Sequence, residues 1–172
     1  MDILSHALYG GVAFGRKSKR NYLIAFLFGL GPDLLSFGLF FMSNLFGSIS
    51  GPNNGFGPPD LASIPDTVYL LYDITHSLIV YLVFFALLWW LGKRDFAKLT
   101  LAWPLHILVD IPTHSSAFFP TPFLWPVSDF SINGLSWGQP MIFIPNVIIL
   151  FCLYLYWYIK KRNQKIKPLP QV

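Results

Sequence analysis

Glutamate is missing from this chain, and all eight acidic residues are aspartate. Charge of either sign is scarce, at 12% of 172 residues, where an ordinary soluble domain carries about a quarter. Cysteine occurs once, at Cys152 inside an apolar run, so no intramolecular disulfide forms. Each shortage removes a class of protein. Too little charge is present to cover a soluble globule of this size or to keep a chain disordered. A coiled coil needs glutamate and lysine on its flanks, and a disulfide scaffold needs paired cysteines. Apolar residues fill the remainder, at 54% before glycine is counted, against roughly 45–50% with glycine in soluble domains. An integral membrane protein is the class left standing.

The apolar residues fall into segments separated by two kinds of breaker. Residues 2–15 are a short apolar stretch of about 20 Å, less than a bilayer core of about 30 Å. Longer runs cover 21–46, 67–91, 98–118 and 140–159, the third interrupted by Pro104 and Pro112. Basic clusters at Arg16–Arg20, Lys93–Lys98 and Lys160–Lys167 alternate with long Gly/Pro-rich loops at 47–66 and 119–139, which hold no lysine or arginine. Four spans put every basic residue on one side, which the positive-inside rule assigns to the cytoplasm. The bases flank apolar segments rather than forming a solvated face, so the net charge of +4 speaks for topology and against nucleic-acid binding. No basic region precedes the first apolar stretch, which argues against a cleavable signal peptide. The sequence therefore predicts an all-α, integral membrane helical bundle of four transmembrane helices plus a short N-terminal helix. Residues 1–163 form one membrane-embedded domain and 164–172 a cytoplasmic tail.

An ionisable side chain inside a span costs roughly 2.5–3.5 kcal/mol on insertion scales and calls for a reason. Asp33, His76, His106, Asp110 and His114 lie in or beside spans, and His6 lies in the short first helix. Counted from the nearest basic cluster at the helical rise, all six sit about 12–25 Å deep, within one slab. His106 and Asp110, four apart, share a helix face. Asp73 and His76, three apart, do the same. Asp33 follows Gly31-Pro32, where proline suits the first turn of a helix, so a break is expected there with Asp33 opening the second half. A lone buried histidine is usually a hydrogen-bonded core residue, and a lone Asp after Pro is usually a cap. Three or more imidazoles gathered with two carboxylates, and no lysine or arginine near, instead favour a bound divalent cation. Ligands His6, Asp33, His76, His106 and Asp110 suit zinc first, with manganese or iron as alternatives.

Several of these residues also carry a family pattern. Ser5-His6, Gly31-Pro32-Asp33, Thr75-His76-Ser77, Leu105-His106-Ile107-Leu108-Val109-Asp110-Ile111-Pro112-Thr113 and Pro122-Phe123-Leu124-Trp125-Pro126, in that order, resemble the LexA-regulated, membrane-bound metal-dependent hydrolases of bacteria. That family is distantly similar to zinc-dependent phospholipase C and the P1-type nucleases. The resemblance covers roughly residues 1–130 and implies an inner-membrane, multi-pass location. Two places depart from the pattern. Leu35 stands where a second aspartate is usual, and Leu71-Tyr72-Asp73 stands where the family often has His-Arg-Gly. Asp73 and His114 are extra, which implies a rearranged metal site.

Three functions fit these residues, and the first is favoured. A membrane-bound metal-dependent hydrolase would use metal-activated water on a phosphoester or lipid-like substrate. Asp73 or His114 would serve as the base or a further ligand. Thr75, Ser77, Thr113 and Ser115 would hold the imidazoles or the substrate. The site's depth selects membrane lipids as partners over soluble molecules. The rivals are a structural protein stapled by its metal and a small cation or proton transporter.

Overall fold

The computed structural model describes residues 1–38, 40 and 61–166. Among the described residues the regular structure is entirely helical. The helices are α1 (Ile3–Phe14), α2 (Lys19–Ser36), α3 (Asp66–Thr75), α4 (Leu78–Trp90), α5 (Arg94–Thr100), α6 (Ala102–Thr113) and α7 (Pro140–Ile166), with a 3-10 turn at Leu61–Ser63.

Local chemistry sets the helix starts. Asp2 caps α1 by accepting from the Ser5 backbone N–H at 2.9 Å and from the Ser5 hydroxyl at 2.6 Å. Ser18 caps α2 through the Asn21 N–H at 3.1 Å. Between them the chain reverses, and α1 packs along α2 at very short range. Small residues allow this approach. A Cβ on Gly29 would lie 2.5 Å from the His6 carbonyl oxygen, and one on Gly10 would lie 2.6 Å from that of Ala25. Helix α6 packs against both members of this hairpin, and α3 packs against α2. Helix α7 lies against α1 through polar clasps: the Tyr9 hydroxyl donates to Asn146 Oδ1 at 2.9 Å, and Asn146 Nδ2 donates to Ser5 Oγ at 2.8 Å. Beside α3, Phe40, Ile64, Val68, Tyr72 and Phe119 form an apolar core cluster.

Three expectations about the helices change. First, α2 runs through Pro32 to Ser36, so Asp33 sits inside a helix and not at the start of one. Packing against α1, α3 and α6 holds the helix together across the missing N–H. Second, the break falls instead in the 67–91 run, at His76-Ser77. There α3 ends, Ser77 Oγ accepts from the N–H groups of Ile79 and Val80, and α4 leaves at 55° to α3. Third, the run expected at 98–118 is divided: its first residues belong to helix α5 at Arg94–Thr100, Leu101 separates that helix from α6, and α6 ends at Thr113.

These breaks bear on the number of spans. Helix α7 is long and apolar enough to cross a bilayer on its own, over Pro140–Gln164, and α3 with α4 reaches that length as one bent pair. Helix α6, at 12 residues, is only about 18 Å long. The last part of the expected first span, 41–46, and most of the 47–66 loop lie outside the described residues. Helix α7 continues three residues past the expected end of the embedded domain, to Ile166. The outer surface is heavily apolar, with Leu27, Leu35, Leu82, Val83, Ile148 and Phe151 all exposed. A soluble monomer rarely carries so much contiguous apolar surface, and a bilayer accounts for it.

Candidate metal centre

Three parts of the fold deliver four polar side chains to one buried point. Asp33 comes from α2, His76 from the α3–α4 break, and His106 and Asp110 from successive turns of α6. One donor atom from each lies within 4.8 Å of the other three. His76 Nε2 and His106 Nε2 are 3.1 Å apart. Asp33 Oδ1 stands 3.4 Å from the first and 3.6 Å from the second. Asp110 Oδ2 stands 3.6 Å and 3.0 Å from the same two nitrogens.

The far side of each ring decides what these contacts mean. His106 Nδ1 meets the Gly29 carbonyl oxygen at 2.7 Å, and His76 Nδ1 meets that of Tyr72 at 3.1 Å. A carbonyl only accepts, so both Nδ1 atoms carry the proton. In neutral imidazoles both Nε2 atoms then present lone pairs to each other and to two carboxylates. Four acceptors face one another with no donor among them. A cation resolves this arrangement. Ligands about 2.0–2.2 Å from a tetrahedral zinc lie roughly 3.3 Å from one another, which is the scale of these separations. The residues present therefore fit a divalent metal, and the Nδ1 bonds to backbone carbonyls are the usual support for such a ligand set.

The local structure keeps the imidazoles in place. The Tyr72 ring stacks on His76 with centroids 3.8 Å apart, and His6 stacks on His106 at 3.6 Å. Thr75 Oγ1 donates to the carbonyl oxygens of Leu71 at 2.8 Å and Pro32 at 3.2 Å, tying α3 to α2. The 119–139 loop holds the break itself. Leu78 N–H donates to the Phe123 carbonyl oxygen at 3.0 Å, and Ser77 Oγ donates to that of Trp125. The Pro122–Pro126 motif thus acts on the site through its backbone.

The other expected site residues divide. His6 Nε2 reaches Asp110 Oδ1 at 2.8 Å, outside the four-residue group, while its Nδ1 is buried without a partner. His114 caps the C-terminus of α6, with Nε2 3.6 Å from Asp110 Oδ1 and Nδ1 2.9 Å from both the Tyr72 hydroxyl and the Phe119 carbonyl oxygen. Asp73 is half-buried on α3 and joins neither set. Thr113 hydrogen-bonds back to Val109 within α6 and does not hold an imidazole. Sequence reasoning missed the backbone nitrogen of Met1, which contacts Asp110 Oδ1 and lies 3.2 Å from His114 Nε2. It also missed Tyr72 and the Gly29 carbonyl. Nothing in a side-chain pattern signals a backbone acceptor, but Tyr72, one helical turn before His76, was open to the same face argument that paired Asp73 with His76.

A helical fold with an apolar exterior and a buried, metal-competent His/Asp cluster defines a membrane protein organised around one polar site. The chain belongs to the YdjM inner membrane protein family, whose model matches residues 1–169. No curated protein and no solved structure matches it. None of these comparisons shows a likeness to a hydrolase or to a phospholipase C.

Proposed function

We propose that this protein is a metal-dependent hydrolase of the inner membrane, acting on a phosphoester in a lipid-like substrate. The observation that carries this reading is the facing pair of Nε2 lone pairs on His76 and His106, closed in by Asp33 and Asp110. Those four residues would hold the ion, with zinc preferred for mixed His/Asp ligation without thiolate. A divalent ion there would lower the pKa of a bound water to near 7 and polarise a phosphoryl or acyl oxygen. His114 is the favoured base. Phe119 and Tyr72 engage its Nδ1, which leaves Nε2 facing the Asp110 side of the cluster. Asp73 is the second candidate for proton transfer, and His6 orients Asp110 through Oδ1. In the proposed topology the chain crosses the bilayer four times, with α3 and α4 forming one broken span and the basic turns in the cytoplasm. Broken spans in membranes commonly line a protein-enclosed site, as His76 does here.

Metal analysis of the purified protein beside Asp110→Asn tests the reading. Wild type should carry metal at near-equimolar level, and the variant should lose most of it. A wild type free of metal after purification in metal-replete buffer sinks the proposal. A structural metal staple is the second reading, favoured by the complete burial of the His76, His106 and Asp110 side chains. Turnover of a panel of phospholipids and phosphoesters separates the two. The hydrolase turns over at least one of them and loses that activity in His114→Ala with its metal retained, whereas the staple turns over none.

A further inference from the structure

We propose that the basic end of the helical bundle is a binding site for the phosphate of an anionic phospholipid, centred on the stacked rings of Tyr22 and Trp157. The site shares no residue with the metal centre and does not depend on the hydrolase reading. Bases from three separate stretches of the chain are packed there into one corner of the fold.

The turn between α1 and α2 begins the patch. Gly15 closes it: a Cβ there would lie 2.4 Å from the Tyr22 Cα, so the chain folds back on α2 with no room to spare. Arg16, Lys17, Lys19 and Arg20 stand exposed along this turn and the start of α2. The first turn of α2 holds no acidic residue, and Lys19 and Arg20 stand in it. The helix dipole disfavours cations at that end, so helix stability does not account for them.

Tyr22, at the next turn of α2, joins this segment to the end of α7. Its ring stacks on Trp157 with centroids 5.7 Å apart, and the hydroxyls of Tyr22 and Tyr154 are hydrogen-bonded at 2.6 Å. Lys161 Nζ lies 6.0 Å from the centroid of the same Trp157 ring, and Lys160 Nζ lies 6.0 Å from that of Tyr156. Lys160, Lys161 and Arg162 are all exposed. The third stretch, Lys93–Lys98, also meets the turn. Its Asp95 is held below the ordinary carboxylate range, first by the Lys98 ammonium bonded to it at 2.9 Å and also by the charge of Lys17. Asp95 is the one carboxylate in the three stretches, against four bases in the turn alone.

The place of the patch selects its occupant. Helix α7 is a candidate span over Pro140–Gln164, which puts Lys160–Arg162 within about one turn of its end, at headgroup depth. Tyr156, Trp157 and Tyr158 come just before them, as aromatic residues do at membrane interfaces. A lysine so placed lays its stem along apolar surface and holds its ammonium among the headgroups. The positive-inside rule accounts for the side on which the bases lie, but not for their convergence on one pair of rings. Phospholipid phosphates are the anions present at that depth, and basic pockets beside membrane helices bind them. A nucleic acid would instead need the bases on a solvated face. In the proposed topology the lipid belongs to the cytoplasmic leaflet.

Native mass spectrometry of the full chain tests the site. The protein is released from nanodiscs that hold phosphatidylethanolamine and phosphatidylglycerol in equal amounts. Wild type should retain phosphatidylglycerol in preference to phosphatidylethanolamine. The preference should vanish after a wash in about 1 M salt, where screening shortens to about 3 Å. Lys17→Gln and Lys161→Gln change exposed side chains in two different stretches, and each should lower the apparent affinity about fivefold. Trp157→Leu leaves every charge in place and should lower it too, because Tyr22 and Lys161 share that ring. Equal retention of the two lipids, or wild-type affinity in both lysine variants, overturns the site. Losses in the lysine variants with Trp157→Leu unaffected would also overturn it, leaving only diffuse attraction to the leaflet. Displacement of the lipid by a short RNA duplex would overturn it in favour of a nucleic-acid surface. The readout needs neither bound metal nor turnover, so this site and the hydrolase reading stand or fall separately.

Discussion

At the scale of single residues, two glycines only two residues apart, on opposite faces of α2, make opposite predictions. Gly29 faces α1, where a Cβ would lie 2.5 Å from the His6 carbonyl oxygen, a backbone atom that cannot swing aside. Gly29→Ala should therefore destabilise the protein by about 1–3 kcal/mol through overpacking. It should also loosen metal binding, because His106 is anchored to the Gly29 carbonyl. Gly31→Ala removes a helix-weakening glycine into open space and should be neutral or stabilising by up to about 1 kcal/mol. Thermal unfolding in detergent compares the two, and equal effects would refute the proposed packing. The same residue-scale logic fixes a pH dependence. The imidazoles of His76 and His106 bind metal through Nε2 only when neutral. Protons therefore compete with the metal, and affinity falls as pH drops. Dialysis at about pH 5.5 should strip metal that survives dialysis at about pH 7.5, as read by metal content. Retention at the lower pH would argue against histidine ligation.

Among the helices, what was legible in the sequence is what periodicity governs. His106 and Asp110 were placed on one face because a helix repeats every 3.6 residues, and the structure has Asp110 Oδ2 3.0 Å from His106 Nε2. Breaks were less legible. Pro32 advertised one that packing suppressed, while the actual break at His76-Ser77 contains neither proline nor glycine. It depends on the Ser77 cap and on carbonyls from a loop about 45 residues further along the chain. Asn146 had a readable signal, a polar side chain inside the apolar stretch of α7, and went unread. It joins α7 to α1 by bonds to Tyr9 and Ser5. Asn146→Leu should cost about 1 kcal/mol, the range of interhelical hydrogen bonds in membranes. Helix α7 supplies no ligand, so metal content should stay at wild type. A fall in metal content would show that α7 shapes the site and does more than dock beside it.

For the whole molecule, the open quantity is how the chain sits in the bilayer, and the lone cysteine makes it measurable. Cys152 is exposed on α7, midway along the one helix among the described residues that is long and apolar enough to cross a membrane unaided. From Lys160 it is eight residues, or about 12 Å, into the hydrocarbon. A thiol needs its thiolate to react, and lipid disfavours that charge. Cys152 should stay unmodified by a charged maleimide in intact and in permeabilised cells alike, and react only after denaturation in SDS. In a Cys152→Ser background, two further positions fix the orientation. Asp129 is exposed in the loop before α7, and Asn163 is exposed beside the basic residues at its end. With the bases in the cytoplasm, Asp129→Cys should label from outside in intact spheroplasts, and Asn163→Cys only after permeabilisation. The reverse pattern would place the basic segments outside. Labelling of both from the same side would mean that α7 does not cross, and its exposed apolar face would need a protein partner in place of lipid.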